Sequence, residues 1–159
     1  MLKKTSQKGF TIVELLIVIV IIGILAALVL NTFADSNKKA RDTQRTTDVA
    51  ALATQLEVYY NDKGAYPRFS QIDSLAKVKA AFRGIDEGAV DAPSNASTFD
   101  LSGTALGAND ISSYSYQAYQ ADGTTACAAD DACATFTISW NKEAPKDAAD
   151  KLQLKKSLN

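Results

Sequence analysis

Between Phe10 and Leu30 run 21 residues, of which only Thr11, Glu14 and Gly23 are not apolar. As a helix this run is about 31 Å long at ~1.5 Å per residue, enough to cross a bilayer core. A helix apolar on every side cannot be covered by so small a domain, so a buried core helix is a poor reading. Lys3, Lys4 and Lys8 precede the run and nothing acidic does. The positive-inside bias therefore places the N-terminus in the cytoplasm and residues after about 33 outside. A secretory signal peptide cut after Ala34 is the competing reading, but the run exceeds the usual roughly 7–15 apolar residues.

Composition narrows the chemistry. The 159 residues are room for one domain. Seventeen Lys and Arg against 18 Asp and Glu leave a net charge of −1, without the basic excess of a nucleic-acid binder. The chain has no histidine, which rules out histidine triads and HExxH zinc sites. Two cysteines, Cys127 and Cys133, are too few for a four-thiolate zinc or iron–sulfur site. No cofactor and no enzymatic constellation is expected.

The anomaly in the run is Glu14. A carboxylate inside hydrocarbon costs on the order of 2.5–3.5 kcal/mol and usually marks a function; the bland alternative is a shallow side chain reaching the headgroups. Its neighbours are Lys8-Gly9-Phe10-Thr11-Ile12-Val13-Glu14. A cut between Gly9 and Phe10 would leave a new α-amino group one helical turn from the Glu14 carboxylate, a cation beside an anion at the membrane edge.

This heptapeptide resembles the prepilin processing site of the bacterial type IV pilin and pseudopilin family: a short basic leader ending in Gly, a mature chain starting with Phe, and Glu at the fifth mature position. The resemblance implies cleavage after Gly9 and N-methylation of Phe10 by a prepilin peptidase. It also implies pairing of Glu14 with the N-terminal amine of a neighbouring subunit during filament assembly. The family's frequent proline at the twenty-second mature position is Asn31 here, while its Gly is retained as Gly23. Helix melting between those two positions, which a proline would favour by removing a backbone donor, is not assumed.

Residues 34–48 have no apolar stripe. Charges fall at helical spacing, Asp35 with Lys38 and Lys39, Asp42 with Arg45, and Arg45 with Asp48, each pair worth about 0.2–0.5 kcal/mol. Either a charge-matched face for neighbouring subunits or a plain solvated face fits. From Val49 the apolar positions Val49, Leu52, Leu56 and Tyr59 step by three and four, a stripe that should bury against a sheet. The helix is expected to end at Asn61-Asp62-Lys63-Gly64, with Gly64 as left-handed cap and Pro67 beyond. The segment from Leu56 to Pro67, with its Tyr, its Asn61-Asp62-Lys63-Gly64 turn and its Tyr66-Pro67 pair, also resembles the end of the long helix in pilins and pseudopilins. The resemblance covers about the first 67 residues.

Further on, Asp73 or Ser74 is placed to cap a short helix bearing Leu75, Val78 and Phe82, ended by Gly84. Tyr114 and Tyr116, and then Thr135 to Trp140, alternate like strands and read as an antiparallel pair around the cysteine loop. Cys127 and Cys133, six apart and outside the membrane, are expected to form a disulfide, with free thiols or metal ligation as alternatives. A disulfide in a C-terminal loop also resembles the family's habit. Asp122, Asp130 and Asp131 around that loop are weak calcium candidates, no other metal ligands being expected. Asn95-Ala96-Ser97 fits a glycosylation pattern. The tail after Glu143 alternates Lys and Asp with a few Leu, and reads as a surface helix or a frayed end.

The fold class expected is α+β: a long N-terminal α-helix, membrane-spanning and then amphipathic, packed on a small antiparallel β-sheet head. The expected divisions are a leader over 1–9, a transmembrane and filament-core helix over 10–33, an extracytoplasmic helix over 34–63 and a head over 64–159. The resemblance implies a structural subunit anchored in the cytoplasmic membrane and polymerised into a homo-oligomeric surface filament for adhesion or twitching motility. The implied partners are the prepilin peptidase and N-methyltransferase, the pilus assembly ATPase, the platform protein and the membrane. The alternative is a minor pilin or pseudopilin of a type II secretion or DNA-uptake (competence) fibre. Without the leader, 14 positive and 18 negative side chains remain, an acidic balance more consistent with adhesion or motility than with gripping nucleic acid; no small-molecule substrate is expected.

Overall fold

A computed structural model describes residues 9–94, 97, 99–128 and 131–158, without the side chains of 30 and 31. The leader lysines Lys3, Lys4 and Lys8, the Asn95-Ala96 part of the glycosylation pattern and Asp130 lie outside the described residues. The chain forms two compact units, Met1–Asn37 and Lys38–Asn159.

Helix α1 spans Ile12–Lys63, within two residues of the sequence expectation at each end. In the first unit it is a bare apolar helix. Its large apolar side chains are at least half exposed, from Val18 at 50% to Ile12 at 85%, and it is long and apolar enough to cross a membrane. Gly64 ends the helix at φ +74°, its N–H donating to the Tyr60 carbonyl at 2.7 Å. Only glycine takes that backbone conformation without strain.

The second unit is an α+β head. Helix α2 covers Leu75–Ala81, with Ser74 at its N-cap position and Val78 and Phe82 buried. Strands β1 (Leu101–Ser102), β2 (Tyr114–Tyr119), β3 (Thr135–Asn141) and β4 (Leu152–Lys156) form one sheet in that order. β2–β3 is antiparallel as expected, with Tyr116 opposite Ile138, and β3–β4 is antiparallel too. The sheet is nevertheless mixed and not antiparallel throughout, because β1 runs parallel to β2. The tail is neither helix nor frayed end. Leu152–Lys156 pair with β3, although Leu152 and Leu154 stay about half exposed.

The core joins the predicted stripe to the strands. Val49, Leu52 and Leu56 cluster with Tyr114, Tyr116, Phe136, Ile138 and Trp140. Each fully buried Leu, Ile or Phe contributes about 1.5–3 kcal/mol, and edge-to-face packing of Tyr66 on Phe136 at 4.9 Å adds specificity.

The charges of the helix's polar stretch do more than face water. Arg45 is 1% exposed. It donates to Asp42 at 3.0 Å, Glu143 at 2.6 Å, Ser94 at 2.7 Å and the Ile111 carbonyl at 3.0 Å. Asp42 in turn accepts the backbone N–H groups of Glu143 and Ala144, and Arg41 grips the same Glu143. The expected Asp42–Arg45 pair is present. The expected Arg45–Asp48 pair is not: Asp48 instead accepts the Tyr114 hydroxyl at 3.0 Å, because Arg45 is drawn to the carboxylate after β3. Burial raises the Asp48 carboxyl above its ordinary value, partly offset by that hydrogen bond.

Candidate functional site

The predicted processing and assembly residues sit together at the start of α1. Gly9 and Phe10 are exposed and precede the first helical turn, and Phe10 is 89% exposed. A β-carbon at Gly9 would meet nothing within 4 Å and its φ is not positive, so the fold itself makes no demand for glycine there. The same is true of Gly23 in mid-helix, where glycine costs about 1 kcal/mol relative to alanine.

Glu14 is held by Thr11. The Thr11 N–H donates to Glu14 Oε2 at 2.8 Å, the Thr11 hydroxyl to the same oxygen at 2.7 Å, and the Glu14 N–H to Thr11 Oγ1 at 3.2 Å. With Thr11 as N-cap and Glu14 three residues on, this is a reciprocal capping box that satisfies two otherwise orphaned donors. The spacing Thr-x-x-Glu stands in the sequence, although the partner expected there for Glu14 is an N-terminal amine and not Thr11. All described hydrogen bonds of the carboxylate fall on Oε2.

Within the head, Cys127 and Cys133 form the predicted disulfide, with Cα atoms 5.8 Å apart. Cys133 is buried and its carbonyl accepts the Tyr66 N–H at 2.8 Å, so this backbone bond ties the bridged β2–β3 loop to the segment following α1. Two of the three calcium candidates are spent on the same loop. Asp122 accepts the N–H groups of Thr124 and Thr125, which hold its carboxyl at about 2 together with the Thr125 hydroxyl, the largest cause. Asp131 accepts from Gln120 and the Ala128 N–H. Among the described residues no group of three or more acidic or cysteine side chains is arranged to hold a metal.

A basic approach, a glycine the fold does not require, an exposed Phe and a capped Glu heading an uncovered apolar helix define a class. Residues 4–30 match the family profile described as the prokaryotic N-terminal methylation motif, and about half of the chain is similar to proteins named type II secretion system core protein G. It is 37% identical over 81 residues to the type II secretion system core protein G of Aeromonas hydrophila, covering 50% of this chain and 57% of that one. Against the protein of the same name from Escherichia coli K12 it is 39% identical over 73 residues, 45% of this chain and 50% of that one. For the Dickeya chrysanthemi protein the values are 40% over 65 residues, 41% and 42%. The chain thus spans about half the length of the curated relatives it matches. No solved structure matches it significantly.

Proposed function

We propose that this chain is a pseudopilin: a membrane-anchored precursor cleaved after Gly9, N-methylated on Phe10 and polymerised into a fibre of the type II secretion kind. The observation that carries this reading is the similarity to proteins named type II secretion system core protein G. It favours the secretion fibre over the adhesion or motility pilus that the sequence first suggested.

The geometry supports a filament subunit in particular ways. The apolar stretch of α1 is left unburied among the described residues, so it lies in lipid before assembly and against like helices after it. Gly23, which nothing within the chain requires, allows close approach of a second helix. Thr11 fixes the Glu14 side chain through Oε2, leaving Oε1 to accept the N-terminal amine of the neighbour, the charge pairing that sets axial register. The acidic balance of the mature chain fits a fibre that grips no nucleic acid.

Deletion of the gene is the test. Export substrates accumulating in the periplasm while surface pili persist is the expected outcome. Normal export with loss of pili would replace this reading with the pilus one.

A further inference from the structure

The head carries a small concavity to which the proposed function assigns no role. It opens between residues 68–69, strand β2 and the disulfide loop, encloses about 140 Å³, and is lined by Arg68, Phe69, Gly103, Gln117, Tyr119 and Cys127. That is close to the roughly 150 Å³ of a cavity known to take benzene, so it suits a group of a few heavy atoms. The Phe69 ring keeps its place in the wall because residue 103 lacks a side chain; a β-carbon there would overlap the ring.

The polar groups facing this space are donors with capacity to spare. The Arg68 guanidinium carries five N–H donors, yet among the described residues it meets only the Asp131 carbonyl at 3.4 Å, longer than a good N–H···O bond. Asp131 Oδ2 accepts from Gln120 and the Ala128 N–H, and among the described residues no ion pair joins that carboxylate to Arg68. Gln117 accepts the Tyr119 hydroxyl at 2.7 Å through Oε1, which leaves its amide N–H groups to donate. Tyr116, in the same wall, has its hydroxyl committed to the Pro67 carbonyl.

We infer that this pocket binds a small carboxylate, the side chain of a glutamate on an approaching polypeptide. Arg68 supplies the planar fork that matches a carboxylate, Gln117 a second donor, and the Phe69 and Tyr119 rings cover the methylene groups. A neutral amide of the same shape loses the charge-assisted bond and binds less well.

The test is an NMR titration of the full chain in detergent micelles with N-acetyl-glutamate methylamide and with its glutamine counterpart. Saturable shifts of the Gly103, Gln117 and Ala118 amides are expected, at least tenfold weaker for the glutamine compound and lost in Arg68→Gln. Equal response to both compounds, or a titration that survives Arg68→Gln, would overturn the inference. The two-compound comparison on the unaltered chain decides even if Arg68→Gln does not fold. Phenylglyoxal labelling of Arg68 then separates the sources of the carboxylate. Protection in assembled fibres assigns it to a neighbouring subunit, and labelling there assigns it to a different polypeptide.

Discussion

Arg45 shows how much a single side chain can hold in a head of this size. Its guanidinium ties α1 to the segment after β3 and to the loops at Ser94 and Ile111. Removing one partner of a buried pair leaves the other charge uncompensated, so Glu143→Ala should cost about 3–5 kcal/mol, read as a lower unfolding temperature of the head in micelles. Arg41, with help from Arg45, holds the Glu143 carboxyl at about 2, below its ordinary 4.5. A carboxyl lowered on folding contributes stability that is present in full above about pH 5 and lost as pH falls toward 2. The Glu143→Ala head should therefore differ most from the parent at neutral pH and converge with it in acid. Asp91 has the opposite sign. Burial, then a hydrogen bond and charge from Asp100, raise its carboxyl, and among the described residues Asp91 Oδ1 is buried without a hydrogen-bond partner. Asp91→Asn should raise the melting temperature at pH 7, with the gain shrinking as the pH drops below the raised value.

At the scale of elements, what depended on local spacing was legible and what depended on distant partners was not. The Val49-Leu52-Leu56 stripe, the Gly64 stop and the alternation in β2 and β3 each lie within one segment, and all three appear in the fold. β4 gave no such signal. Its strand character comes from backbone bonds to β3, while its side chains remain largely exposed and carry no buried alternation. β1 is two residues long and paired in parallel, too short for any period to show. Asp42 and Arg45 read as part of a helix face open to solvent or to neighbouring subunits, because Glu143, the group that buries them, lies about 100 residues away. In the candidate site the Gly9-Phe10-Glu14 spacing is plain in the sequence, whereas the Thr11–Glu14 cap competes there with the α-amine as the partner for the same carboxylate. Two element-level substitutions follow. Gly64→Ala should lower head stability by about 1 kcal/mol, since alanine must adopt a positive φ. Changing Cys127 and Cys133 together to Ala should cost about 2 kcal/mol through the freed loop, measured by denaturant unfolding.

For the molecule as a whole, the central claim is that an exposed apolar helix capped by Thr11 and Glu14 is the polymerising element. Replacing Glu14 by Ala should leave the head's stability unchanged, since no described bond joins Glu14 to it, and should abolish or sharply reduce fibres. Intact fibres would remove the proposed register pairing. The most direct measurement is the N-terminus of the mature protein, recovered from native membranes and fibres and read by mass spectrometry. A chain beginning at N-methylated Phe10 is the expected result. An intact Met1 would point to an anchored monomer, and a start at Asp35 to a secreted soluble domain; either would contradict the fibre-subunit reading.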